Sequence, residues 1–101
     1  APLALLAPDE IGAIADDSVE LVINCDSLPE IGRETALHYL RQIRRISRRF
    51  LSINQETRKT HNGIAQNWVS ELVEQAGGFQ RVYRFRHWME QGYVEELYER
   101  V

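Results

Sequence analysis

The 101-residue chain is poor in the residues that announce a simple chemistry. Cys25 is its only cysteine, so no intramolecular disulfide framework can form, and this usage fits a reducing compartment; a cytoplasmic setting is expected. No run approaches the ~20 apolar residues needed to cross a bilayer, so no membrane span is expected. The apolar start, residues 1–7, is too short for a signal peptide and lacks a basic flank. It begins without methionine, as an excised piece would begin. The six glycines never fall in a G-x-G run, and no Gly-x-Ser-x-Gly elbow or phosphate-binding loop occurs, which leaves hydrolase and nucleotide-hydrolase readings without support. His38, His61 and His87 stand apart from any second ligand at a recurrent spacing, so no metal site is expected. Internal repeats and Gly/Ser-rich linkers are missing too, leaving one domain at most.

What is present is ordinary for a globular protein: 44% hydrophobic residues, 27% charged, and a net charge of −3 that speaks against nucleic-acid binding driven by overall charge. Residues 2–6 form a short apolar run that reads as a buried strand, and Pro8-Asp9-Glu10 as the acidic first turn of a short helix ending near Ala15. Residues 19–25, Val-Glu-Leu-Val-Ile-Asn-Cys, are β-branched and nearly continuous in apolar character, which predicts a central strand covered on both faces, with Cys25 a buried packing residue. Ala36, Leu37, Leu40, Ile43 and Ile46 recur at helical spacing and predict a helix over residues 32–48. Its other face carries Arg41, Arg44, Arg45 and Arg48, which reads as a solvated face or as a site for an acidic partner. Residues 50–53 predict a second strand. Ile64, Trp68, Leu72 and Val73 then predict a helix with Asn62 as N-cap, stopped by Gly77-Gly78. Residues 79–88 alternate, placing Phe79, Arg81, Tyr83 and Phe85 on one strand face and Gln80, Val82, Arg84 and Arg86 on the other. Residues 93–101 fit either a helix stripe or a terminal strand. The strand–helix–strand–helix–strand order is that of an α/β fold around a mostly parallel sheet.

Three segments carry a family resemblance. Residues 19–30 (Val-Glu-Leu-Val-Ile-Asn-Cys-Asp-Ser-Leu-Pro-Glu), the Tyr39-containing helix, and residues 50–56 (Phe-Leu-Ser-Ile-Asn-Gln-Glu) resemble the fourth strand, following helix and fifth strand of class I methyltransferases. The variant most similar is the sugar O-methyltransferase group, whose closing strands residues 79–84 and 93–98 also resemble. The resemblance spans residues 17–101. It implies a partial Rossmann-like three-layer sheet, strands 4 to 7 with flanking helices, and makes residues 1–101 a single partial domain: the C-terminal half of an S-adenosylmethionine-dependent methyltransferase. The family's Gly-rich loop and ribose-binding acid are missing, so cofactor use belongs to the complete domain and this chain alone is expected to be inactive.

In open α/β sheets ligands bind beyond the carboxyl ends of the strands, where strand order reverses. By the resemblance, Asn24, Cys25, Asp26 and Ser27 border the cofactor, Glu30 orients an acceptor hydroxyl or takes its proton, and Asn54 and Glu56 contact a small-molecule acceptor, a sugar being the one implied. The same residues have plain uses: Asp26 and Ser27 as turn and helix-capping groups, and Glu30 as a carboxylate at the positive end of a helix. A chain lacking the first half should also expose a sheet edge, and self-association through that edge is expected.

Overall fold

The computed structural model describes residues 8–25, 31–56, 60–61, 64–65, 68–86 and 92–101. A 3-10 helix, Pro8–Ala13, leads into β1 (Val22–Cys25), α1 (Arg33–Ile46) and β2 (Arg49–Gln55). A two-stranded pair follows, β3 (Thr60–His61) and β4 (Ile64–Ala65), then α2 (Val69–Ala76), β5 (Phe79–Arg86) and β6 (Tyr93–Arg100). Strands β1, β2, β6 and β5 lie side by side in that order. β1 runs parallel to β2, while β6 is antiparallel to both of its neighbours. The class is α/β, with a mixed rather than mostly parallel sheet. Residues 93–101 are settled as a strand through Arg100.

The core forms where the helical stripe meets one face of the sheet. Ala36, Leu37, Leu40, Ile43 and Ile46 of α1 pack with Val69, Leu72 and Val73 of α2, Ile11 of the 3-10 helix, and Phe50 and Tyr98 from the two inner strands. Phe50 is fully buried, and the rings of Phe79 and Tyr98 lie 6.1 Å from it by centroid. Both helices therefore cover the same face. The opposite face carries Ile23, Leu51, Ile53, Tyr83, Phe85 and Leu97, and among the described residues none of its side chains is fully buried. The described residues thus supply two of the three layers expected.

The first sequence expectation to be corrected concerns β1. Among the described residues it is the outermost strand, of alternating exposure rather than a central strand covered on both faces; Ile23 is 52% exposed and Cys25 is exposed rather than packed inside. The two sheet edges are also built differently. Along β5 a register shift between Arg81 and Tyr83 interrupts the ladder, and Arg81, Arg84 and Arg86 line the strand. Bulges and charges of this kind discourage further strand pairing. β1 carries Val22, Ile23, Asn24 and Cys25, with neither charge nor bulge.

The second correction concerns residues 60–68. β3 and β4 pair antiparallel there, with His61 opposite Ile64, and α2 starts at Val69 with Trp68 as N-cap instead of Asn62. Asn62-Gly63 is the dipeptide most favoured between two hairpin strands, and that local preference overrides the i, i+4 spacing of Ile64 and Trp68. No described helix is long and apolar enough to cross a membrane.

Candidate functional site

β1 and β2 are parallel neighbours in the register Asn24 opposite Ser52 and Cys25 opposite Ile53, so their carboxyl ends finish side by side. Alternation turns Asn24, Ser52 and Asn54 toward the helices and Cys25 toward the open face. Of the residues the sequence assigned to a site, Asn24, Asn54 and Glu56 therefore gather at one end on one side, and Cys25 diverges from them. Asp26, Ser27 and Glu30 lie outside the described residues.

Asn54 is buried and holds the two strand ends together. Its Nδ2 donates to the Asn24 carbonyl at 3.2 Å and to Ser52 Oγ at 2.8 Å, while Oδ1 meets no donor among the described residues. Glu56, the residue after β2, is fixed by its backbone: its N–H donates to the Gly92 carbonyl at 2.8 Å, closing the gap between the end of β2 and the start of β6.

Its carboxylate is gripped by Arg84. Nη1 donates to Oε2 at 3.0 Å and Nη2 to Oε1, a bidentate pair of the strong charge-assisted kind. The same Nη1 lies 3.1 Å from Glu96 Oε2, and Arg81 Nη1 donates to that oxygen at 3.2 Å. Glu96 is 1% exposed, so two arginines compensate a carboxylate withdrawn from water. The Glu56 hydrogen bonds hold the Arg84 guanidinium proton more firmly than usual, against the desolvation that opposes it.

Sequence reading missed Arg81, Arg84, Glu96 and Ser52. Strict alternation would send Arg81 and Arg84 to opposite faces. The register shift between Arg81 and Tyr83 brings both to the helix side, where Arg81 lies opposite Tyr98 and Arg84 opposite Glu96. The signal for Glu96 was available: Val94, Glu96 and Tyr98 share a face in a strand reading, and two of them are apolar.

The basic face of α1 is largely structural. Arg44 Nη1 donates to the Ala76 and Gly77 carbonyls at 3.2 and 2.7 Å, and Arg45 to the Ile14 and Ile11 carbonyls and to Asp16. Arg41 and Arg48 remain exposed. Among the described residues no cluster of His, Cys, Asp or Glu could hold a metal ion.

No family model and no curated protein matches the chain. Among solved structures it is similar to the mitomycin 7-O-methyltransferase MmcR, with a TM-score of 0.67 at 14% identity, over 90% of this chain and 32% of that one. The chain thus spans about a third of that structure's length, and the likeness is one of fold: an α/β arrangement shared with part of a methyltransferase.

Proposed function

We propose that the chain is the acceptor-side part of an S-adenosylmethionine-dependent O-methyltransferase working in the cytoplasm, with a sugar hydroxyl as the group methylated. The observation that carries this reading is the convergence of Asn24, Asn54 and Glu56 at the carboxyl ends of two adjacent parallel strands, in a chain of which 90% matches part of an O-methyltransferase. S-adenosylmethionine would supply the methyl group. The donor set that would hold it is incomplete on this chain, since the sequence has no Gly-rich loop, and Asn24, Cys25, Asp26 and Ser27 are assigned only the border of its site.

The acceptor is oriented by Asn54 and Glu56 and gives its hydroxyl proton to Glu30, whose carboxylate follows the turn after β1 in sequence. The test is methyl transfer to neutral sugars by the polypeptide as it occurs in its native source. Glu30→Gln should lower kcat by about a hundredfold, the usual worth of a positioned base, with little change in the KM for the methyl donor. A variant at wild-type rate removes Glu30 from the reaction, and a polypeptide that methylates no hydroxyl acceptor removes the reading itself.

A second reading, a non-catalytic module that binds a partner or a second copy, is favoured by one feature. β1, outermost among the described strands, belongs to a sheet face bearing Ile23 and Phe85, 52% and 48% exposed. Exposed apolar side chains gathered on one sheet face make a surface suited to be covered.

A further inference from the structure

The amino ends of β1 and β2 meet the carboxyl end of β6 at the end of the sheet opposite Asn54 and Glu56. A cleft of about 460 Å³ opens there, within the range of roughly 300–1,000 Å³ usual for small-molecule sites. Its walls are tied by main-chain hydrogen bonds. The Asp17 N–H donates to the Arg45 carbonyl at 3.1 Å, the Val19 N–H to the Ile46 carbonyl at 3.0 Å, and the Arg100 N–H to the Arg48 carbonyl at 2.8 Å.

Three arginines, Arg48, Arg49 and Arg100, and three carboxylates, Asp17, Glu20 and Glu99, line the cleft. They are not equally engaged. Arg100 is held on two sides, by the Asp17 carboxylate and by the Arg44 carbonyl at 2.9 Å. Arg49 Nε lies 3.6 Å from Glu99 Oε1, too far for a hydrogen bond, so both groups keep their bonding capacity. Arg48 and Glu20 are exposed and meet no ion-pair partner among the described residues. Arg48 and Arg49 thus bring unspent N–H donors into the cleft, and Glu20 and Glu99 bring unspent acceptor oxygens. A ligand of single charge would meet its own sign here as often as the opposite one. A ligand that carries both signs can be matched at each end.

We propose that this cleft binds a small dipolar ion of the amino-acid class, with its carboxylate on Arg48 and Arg49 and its ammonium on Glu20 and Glu99. The guanidinium fork suits the first contact, because its N–H groups match the two oxygens of a carboxylate. The inference goes beyond methyl transfer and stands without it, since the cleft shares no residue with the candidate site.

The test titrates the wild-type chain with β-alanine, propionate and propylamine while the backbone amides of Val19, Arg49 and Arg100 are followed by NMR. The three probes have the same carbon count; β-alanine carries both charges and the others one each. β-Alanine should shift these amides saturably and bind about three- to fivefold more tightly than either half, the worth of one further exposed ion pair. Glu20→Gln should bring β-alanine down to the level of propionate, and Arg48→Gln down to that of propylamine. Both side chains are exposed, so neither change threatens the fold. Arg41→Gln, on the exposed side of α1 outside the cleft, should bind β-alanine as the wild type does. Propionate or propylamine binding as tightly as β-alanine would overturn the proposal, since one charge would then suffice. Equal loss in Arg41→Gln, shifts confined to Asn54 and Glu56, or no saturable shift from β-alanine would overturn it as well.

Discussion

Tyr98 shows how one side chain can serve two regions. Its ring stacks on Phe50 at 6.1 Å and meets Phe79 edge-on at 6.2 Å, closing the apolar core, while the Glu96 carboxylate lies beside its hydroxyl end. Burial first, and then the nearby Glu96 charge, push the Tyr98 phenol well above its ordinary value; burial also raises the Tyr39 phenol, and a hydrogen bond to Glu95 raises that of Tyr83. The sign follows directly. Above about pH 10 the unfolded chain releases these phenolic protons while the folded chain keeps them, so stability is full below that pH and declines as pH rises beyond it. Urea midpoints at pH 8 and pH 11 should therefore separate by less in Tyr98→Phe than in the wild type, with Tyr39 and Tyr83 supplying the remaining slope. An unchanged separation would show that Tyr98 is not the buried phenol responsible. At this scale the sequence is uneven as a guide. The apolar stripe of α1 is legible because five apolar residues, Ala36, Leu37, Leu40, Ile43 and Ile46, fall on one helical face. Cys25 is not, because whether the last residue of an apolar strand is buried depends on what lies across the sheet.

Among the elements, the helix ends carry much of the specificity. Arginines that donate to backbone carbonyls tie these ends down: Arg44 of α1 to Ala76 and Gly77 at the end of α2, and Arg100 Nη1 of β6 to the Arg44 carbonyl at 2.9 Å. The chain leaves α2 through Gly77 and Gly78, both at positive φ, and a Cβ on Gly78 would stand 2.5 Å from Arg44 Cδ. Gly78→Ala should thus combine backbone strain with displacement of Arg44 and cost about 1–3 kcal/mol in denaturant titration. Gly12→Ala, with nothing within 4 Å of the added carbon, should stay close to wild type. Equal stabilities for the two variants would contradict this account. The glycine stop was readable in the sequence because only glycine takes this conformation cheaply. The start of α2 was not, since the hairpin signal of Asn62-Gly63 competed with a helical spacing. The gathering of Asn24, Asn54 and Glu56 was legible once the two strands were taken as parallel neighbours. Their arginine supports were not, because they depend on a pairing between β5 and β6 that no local pattern announces.

Because β5 carries a register shift and three arginines that β1 lacks, any association through the described sheet is expected at β1. Sedimentation over a range of concentrations should show the wild-type chain self-associating and Ile23→Lys remaining monomeric, because a lysine on the edge penalises strand pairing. A wild-type chain that is monomeric throughout would remove the second functional reading and leave the β1 edge unused in isolation.

The irregularity at Val82 gives β5 two reading frames. Before it, odd-numbered residues face the helices; after it, even-numbered ones do. The cation pair around Glu96 straddles that change of frame. The composition of the buried charge cluster is thus governed by backbone length at a residue that carries no charge and takes no part in the cluster. Losing or gaining one residue there would rewrite which side chains meet Glu96 without altering any of them, so the polar site is encoded as much in a count as in a chemistry.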